Sequence, residues 1–146
     1  MDLNEIKSQL IIDEGMSLTA YEDTLGNLTV GIGHLVMPSD QIEEGQTITQ
    51  DQCDSFFNKD LQIAIDSCTK APNIPYLNQP ELVQESLVNM CYNMGVARLA
   101  QFITFLNLLH NKNYEAAAMD LMGTLWAKQV PERAQRIANK IKSCAQ

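Results

Sequence analysis

Three residue types at a fixed spacing single out one stretch of this chain. Glu14 stands just before Gly15, Asp23 follows nine residues on, and Thr29 comes six after that, within the run EGMSLTAYEDTLGNLTVGIGH from Glu14 to His34. A carboxylic acid that donates a proton and a second carboxylate that acts as base or nucleophile are the minimal equipment for breaking a glycosidic bond. The chemistry requires the two carboxyls to sit in different surroundings. Leu3, Ile6, Leu10 and Ile11 recur at helical spacing, and Gly15 is the expected left-handed stop just past such a helix. Glu14 then falls in the last turn. There the negative end of the helix dipole, and any burial, disfavour its charged form and make it the candidate proton donor.

The residues beyond change period. Leu28, Val30 and Ile32 alternate with Thr29, Gly31 and Gly33, which argues for a strand, and Gly26-Asn27 is a hairpin turn signal. Asp23 is therefore expected on or near a hairpin, across a cleft from Glu14. A strict two-residue turn at Gly26-Asn27 would pair Asp23 with Val30 and face it away from Thr29. Either the loop is wider or Asp23 lies outside the ladder; we expect the second.

The pattern E-G-x-x-L-x-x-Y-x-D-x-x-G-x-x-T-x-G-x-G-H, carried by Glu14, Gly15, Leu18, Tyr21, Asp23, Gly26, Thr29, Gly31, Gly33 and His34, resembles without a gap the signature of phage-type lysozymes, glycoside hydrolase family 24. Trp126, Gln129, Pro131, Arg133 and Ala134 resemble that family's W-x-x-Q-x-P-x-R-A segment. Asn58 to Asp60 and Asn89 to Gly95 are similar to further family blocks, so the likeness spans most of the chain. It implies an α+β, mostly helical, lysozyme-like fold: a small hairpin-containing N-terminal lobe and an all-helical C-terminal lobe, joined by a long helix.

The same resemblance implies a phage endolysin, a muramidase that hydrolyses the beta-1,4 bond between N-acetylmuramic acid and N-acetylglucosamine in peptidoglycan with inversion. Glu14 would be the general acid, with Asp23 and Thr29 positioning water. Inversion requires the two carboxyls about 6.5 to 9.5 Å apart, whereas about 5 to 5.5 Å fits retention. Gly33, Leu35, Tyr92, Phe105 and Asp120 match substrate-contact positions, although Phe105 reads equally as a core residue. His34, Asp60 and Arg133 match supports of the site. In the family the aspartate matching Asp60 faces the histidine matching His34, and the arginine matching Arg133 approaches the catalytic glutamate. Alternatives are a virion-associated lysozyme that opens the wall during infection, and a non-catalytic glycan-binding module, against which the intact Glu14, Asp23 and Thr29 set argues.

At 146 residues the chain is one folding unit by length, able to bury about 70% of the surface its unfolded form exposes. Residues 1–14 carry one Lys against four acidic residues, and no apolar run reaches signal-peptide or membrane-spanning length. We expect a monomer without stable membrane association, kept in the host cytoplasm until release to the periplasm with the help of a holin, as the family implies. Cys53, Cys68, Cys91 and Cys144 are too far apart for a C-x-x-C motif and read as core thiols; with only His34 and His110, no metal and no cofactor are expected. The net charge of -8 is uneven. Residues 1–66 carry 13 acidic and 2 basic side chains, and residues 67–146 carry 5 and 8. That excludes the coherent basic surface nucleic acid needs, and gives no long-range attraction to an anionic envelope.

Thr49-Gln50-Asp51-Gln52 is a capping-box pattern that opens a helix running to about residue 70, with Cys53, Phe56, Phe57, Leu61, Ala64 and Cys68 on its apolar stripe. Asp60 falls on that stripe and needs a partner, and the resemblance implies that this partner is His34. Ala71-Pro72-Asn73-Ile74-Pro75 separates an N-terminal lobe of about 14–60, with the linking helix at about 50–70, from a helical lobe of about 72–146 on which the first helix is free to pack. Within that second lobe, Pro80 suits the first turn of a helix whose apolar contacts are Leu82, Leu87, Met90, Cys91 and Met94. Further helices are expected at about 98–111, 114–123 and 131–143. The last of them sets Arg133, Arg136 and Lys140 on a face that reads first as solvated.

Overall fold

Asp2 accepts from the backbone N–H groups of Asn4 (3.0 Å) and Glu5 (3.3 Å) and so caps helix α1, Leu3–Glu14. The computed structural model describes residues 1–146. Ile6 and Leu10, one turn apart, are the buried residues of α1, while Leu3 in its first turn is 54% exposed and drops out of the expected stripe. Gly15 has the expected positive φ (73°) but an extended ψ (177°). That region is open essentially to glycine alone, so the chain leaves the helix straight into a strand.

Strands β1 (Ser17–Glu22), β2 (Leu28–Gly31) and β3 (His34–Leu35) form an antiparallel sheet in that order. Between Ser17 and Tyr21 strand β1 carries extra residues. The bulge turns its backbone outward, where Leu18 and Ala20 bond to Ile48, Gln46 and Gly45 at 2.7–2.9 Å. The strand expected to continue through Ile32 instead ends at Gly31 and reverses. Gly31 (φ 67°) and Gly33 (φ 65°) supply the left-handed turn, and Ile32 is buried within it. Apolar alternation here records burial of a turn.

Helix α2, Gln50–Lys70, starts as expected: the Thr49 hydroxyl accepts from the Gln52 N–H (3.1 Å), and the Gln52 side chain accepts from the Thr49 N–H (2.9 Å). Residues 2–63 form one compact unit and residues 64–146, with Met1, another. The division thus falls inside α2, and α1 groups with the sheet.

In the helical unit, α3 (Glu81–Met94) is the most enclosed element. Pro80 sits just ahead of its first turn as the cap residue, and the helix phase buries Val83 and leaves Leu82 partly exposed. The helix expected at 98–111 is broken into α4 (Val96–Leu99) and α5 (Ile103–His110). In one straight helix Leu99 and Phe105 would point about 120° apart; the break at residues 100–102 lets both become fully buried. Then follow α6 (Tyr114–Met122), the short α7 (Leu125–Gln129) capped by the Thr124 hydroxyl, and α8 (Pro131–Lys142). Cys53, Cys68 and Cys91 are buried and Cys144 is partly exposed. No helix is long and apolar enough to cross a membrane.

The basic stripe of α8 is not a solvated face. Arg133 is 5% exposed, and its guanidinium donates to the Asn89 side-chain oxygen (2.8 Å) and backbone carbonyl (3.2 Å). Lys140 reaches to 3.9 Å from the buried Glu85 carboxylate. Helix α3 presents Glu85 and Asn89 at i and i+4 toward α8, and those two partners draw the cations inward.

Candidate active site

Glu14 ends α1, half-buried, with its carboxyl against the Gly31–Gly33 turn. A Cβ added at Gly33 would stand 2.9 Å from Glu14 Oε2 and 3.0 Å from its Cβ. The absence of a side chain at Gly33 is what makes room for the acid.

The ladder between β1 and β2 closes at Glu22 opposite Leu28, so the connection is the five-residue loop 23–27 and Asp23 lies outside the ladder. Both escapes from the two-residue turn are taken. One Asp23 oxygen, Oδ1, accepts from the N–H groups of Leu25 (2.9 Å) and Asn27 (2.8 Å), which fixes the carboxylate to its own turn. The Asn27 carbonyl in turn accepts from the Asp23 N–H (2.9 Å) and from the Thr29 hydroxyl (3.1 Å). One peptide group therefore ties Asp23 to Thr29. Because the Thr29 proton is committed to Asn27, its oxygen is left as an acceptor toward any water beside it.

Register decides which side chains share a face. Thr29 lies opposite Tyr21 on one side and Leu35 on the other, so these three form a row across the sheet, while Val30 and His34 pair on the opposite face. Thr29 is buried and Leu35 is 51% exposed.

On that opposite face His34 stacks on Phe56, with ring centroids 4.1 Å apart. Its Nδ1 meets Asp60 Oδ2 at 2.6 Å, the expected pair, and its Nε2 meets Asp40 Oδ2 at 2.9 Å, which sequence reasoning missed. The available signal was Pro38-Ser39-Asp40, a proline opening a short 3-10 turn (Pro38–Asp40) with an acid at its third position. Burial by itself lowers the His34 pKa, but the hydrogen bonds and charges of Asp60 and Asp40 outweigh it, and the net shift is upward from 6.5. A folded pKa above the unfolded one means stability is fully present below about 6.5 and is lost as pH rises through the folded value. Melting temperature should therefore decline as pH rises through the neutral range, and His34→Asn should flatten that slope; an unchanged slope in the variant would exclude the pair as its source.

The other expected site residues lie in the helical unit. Tyr92 is half-buried on α3. Asp120 lines a hollow of about 360 Å³ with Arg98, Phe102, Thr104 and Trp126. Phe105 is 0% exposed and packs edge-on to Phe102 (6.5 Å), so its expected substrate contact gives way to core filling. Asn89, which accepts from buried Arg133, is the partner in this unit that the sequence did not single out.

Compared with known proteins, residues 12–140 match the family model described as phage lysozyme. The chain is 30% identical to "Probable T4-type lysozyme 2" of Dictyostelium discoideum, covering 92% of each chain. It is 33% identical to the endolysin of Salmonella phage P22, covering 80% of this chain and 76% of that one. It is also 31% identical to the pre-baseplate central spike protein of Enterobacteria phage T4, covering 86% of this chain and 25% of that larger protein.

Proposed function

This chain belongs to the phage lysozyme family, and from that premise we propose that it is a peptidoglycan hydrolase, a muramidase cleaving the beta-1,4 bond after N-acetylmuramic acid with inversion. The observation that supports the reading is the Asn27 backbone, whose N–H donates to the Asp23 carboxylate and whose carbonyl accepts from the Thr29 hydroxyl, linking the two side chains within the compact unit that also holds Glu14. Glu14 protonates the departing glycosidic oxygen. Asp23, with one oxygen tethered and Oδ2 outside that tether, takes the proton from the attacking water, and the Thr29 oxygen accepts that water's other hydrogen. Leu35 and the exposed edge of Tyr21 extend the row beside Thr29 along which a sugar can lie, while Gly33 makes room for the acid.

The enzyme works as a monomer without cofactor or metal, reaching the wall from the host cytoplasm once a holin opens the inner membrane. Similarity to the phage T4 spike protein favours a second reading, a lysozyme carried in the virion; finding the chain in purified particles would select it.

Purified peptidoglycan should clear on addition of the protein. Fragments should carry reducing ends on muramic acid, and the fresh reducing end should be the α anomer by NMR. Reducing ends on glucosamine exclude a muramidase, a β anomer excludes inversion, and binding without fragments leaves only a glycan-binding module.

A further inference from the structure

The turn that Glu14 rests on is fastened at both ends to one face of α2. At one end Gly31 sits over Cys53, where an added Cβ would come within 3.3 Å of Sγ. At the other, His34 stacks on Phe56 and bonds Asp60. Cys53, Phe56 and Asp60 are spaced i, i+3 and i+7, a single helical stripe. Asp40 adds a grip from a different direction: it holds His34 Nε2 at 2.9 Å and accepts from the Met37 N–H at 2.9 Å, which anchors it in the 3-10 turn. The two carboxylates approach opposite nitrogens of the ring and do not converge on a point, so the cluster is not a metal site.

We propose that Asp40 is a positioning residue for Glu14, gripping the second nitrogen of His34 so that the Gly31–Gly33 turn stays under the acid, and that loss of this grip, together with loss of the proton on Glu14, limits activity on the alkaline side. The proposal rests on the reading of Glu14 as general acid. Only an imidazolium donates from both nitrogens; the neutral ring keeps one N–H. When His34 loses its proton to solvent, the remaining N–H stays with Asp60, the shorter bond, and Asp40 faces a lone pair. The charged groups around the ring are Asp60 from α2 and Asp40 from the 3-10 turn, with Lys59 of α2 acting on Asp40. Both carboxylates favour the proton, so the grip persists to a pH above that of an ordinary histidine.

The test pairs kcat/KM against pH with NMR titration of His34 in the wild type, Asp40→Asn and Asp40→Glu. In Asp40→Asn the His34 titration and the alkaline limb of activity should move together to lower pH by about one unit, and Asp40→Glu should recover part of the shift. An alkaline limb that stays in place while the His34 titration moves overturns the proposal. So does a uniform loss at every pH, which marks a merely structural role. A wild type that cleaves nothing at any pH overturns the hydrolase reading and this proposal with it, whereas an active wild type with an indifferent limb overturns this proposal alone.

Discussion

Glu14→Gln should lower turnover on peptidoglycan by about 10²- to 10⁴-fold, the usual range for removing a general acid, while the protein stays folded by circular dichroism. The amide has the shape of the acid, so it keeps the packing on the Gly33 backbone. It can donate a hydrogen bond but cannot release a proton to the leaving oxygen. The loss should therefore fall on kcat, with KM little changed, because substrate binding precedes proton transfer. Full activity in this variant would remove Glu14 from the mechanism.

Gly33→Ala should damage both stability and turnover, for two separable reasons. At φ 65° a non-glycine residue costs about 1–2 kcal/mol of backbone strain. The added methyl would also meet Glu14 at 2.9 Å from Oε2, 3.0 Å from Cβ and 3.1 Å from Cδ. The carboxylate end could swing away, but the Glu14 Cβ belongs to the last turn of α1 and moves only with its backbone. A displacement near 1 Å at a catalytic group can cost about 10²-fold, so kcat should fall at least about tenfold. Gly45→Ala is the control: its φ is 84°, yet nothing lies within 4 Å of the added Cβ. It should lose comparable stability and keep its turnover. If Gly33→Ala matches that control in activity, Gly33 is only a turn glycine.

Much of this site was legible because its signals are local. The capping box at Thr49, the helix end before Gly15 and the placement of Asp23 outside the hairpin ladder each depend on neighbours a few residues apart, whose geometry the backbone dictates. That Asp60 needs a partner followed from a carboxylate on an apolar stripe, but that the partner is His34 came from the family resemblance. Where the reading failed, the deciding contact was distant along the chain or depended on a bend that side-chain periodicity does not encode. Phe105 became core because the helix breaks at residues 100–102, and the α8 cations turned inward because Glu85 and Asn89 await them on α3.

By itself the amino-acid sequence determined the two carboxylates, the hydroxyl, the glycines that let a turn approach the acid, and the order of elements that carries them. Residue type sets chemical capacity, and short-range sterics set the helix ends and turns. Only the tertiary structure decided that Tyr21, Thr29 and Leu35 form one row, that the backbone of Asn27 joins Asp23 to Thr29, and that His34 is held by Asp40 as well as by Asp60. Strand register and the approach of one element to another are set by the packing of the whole unit, and a side chain's partner follows from that packing.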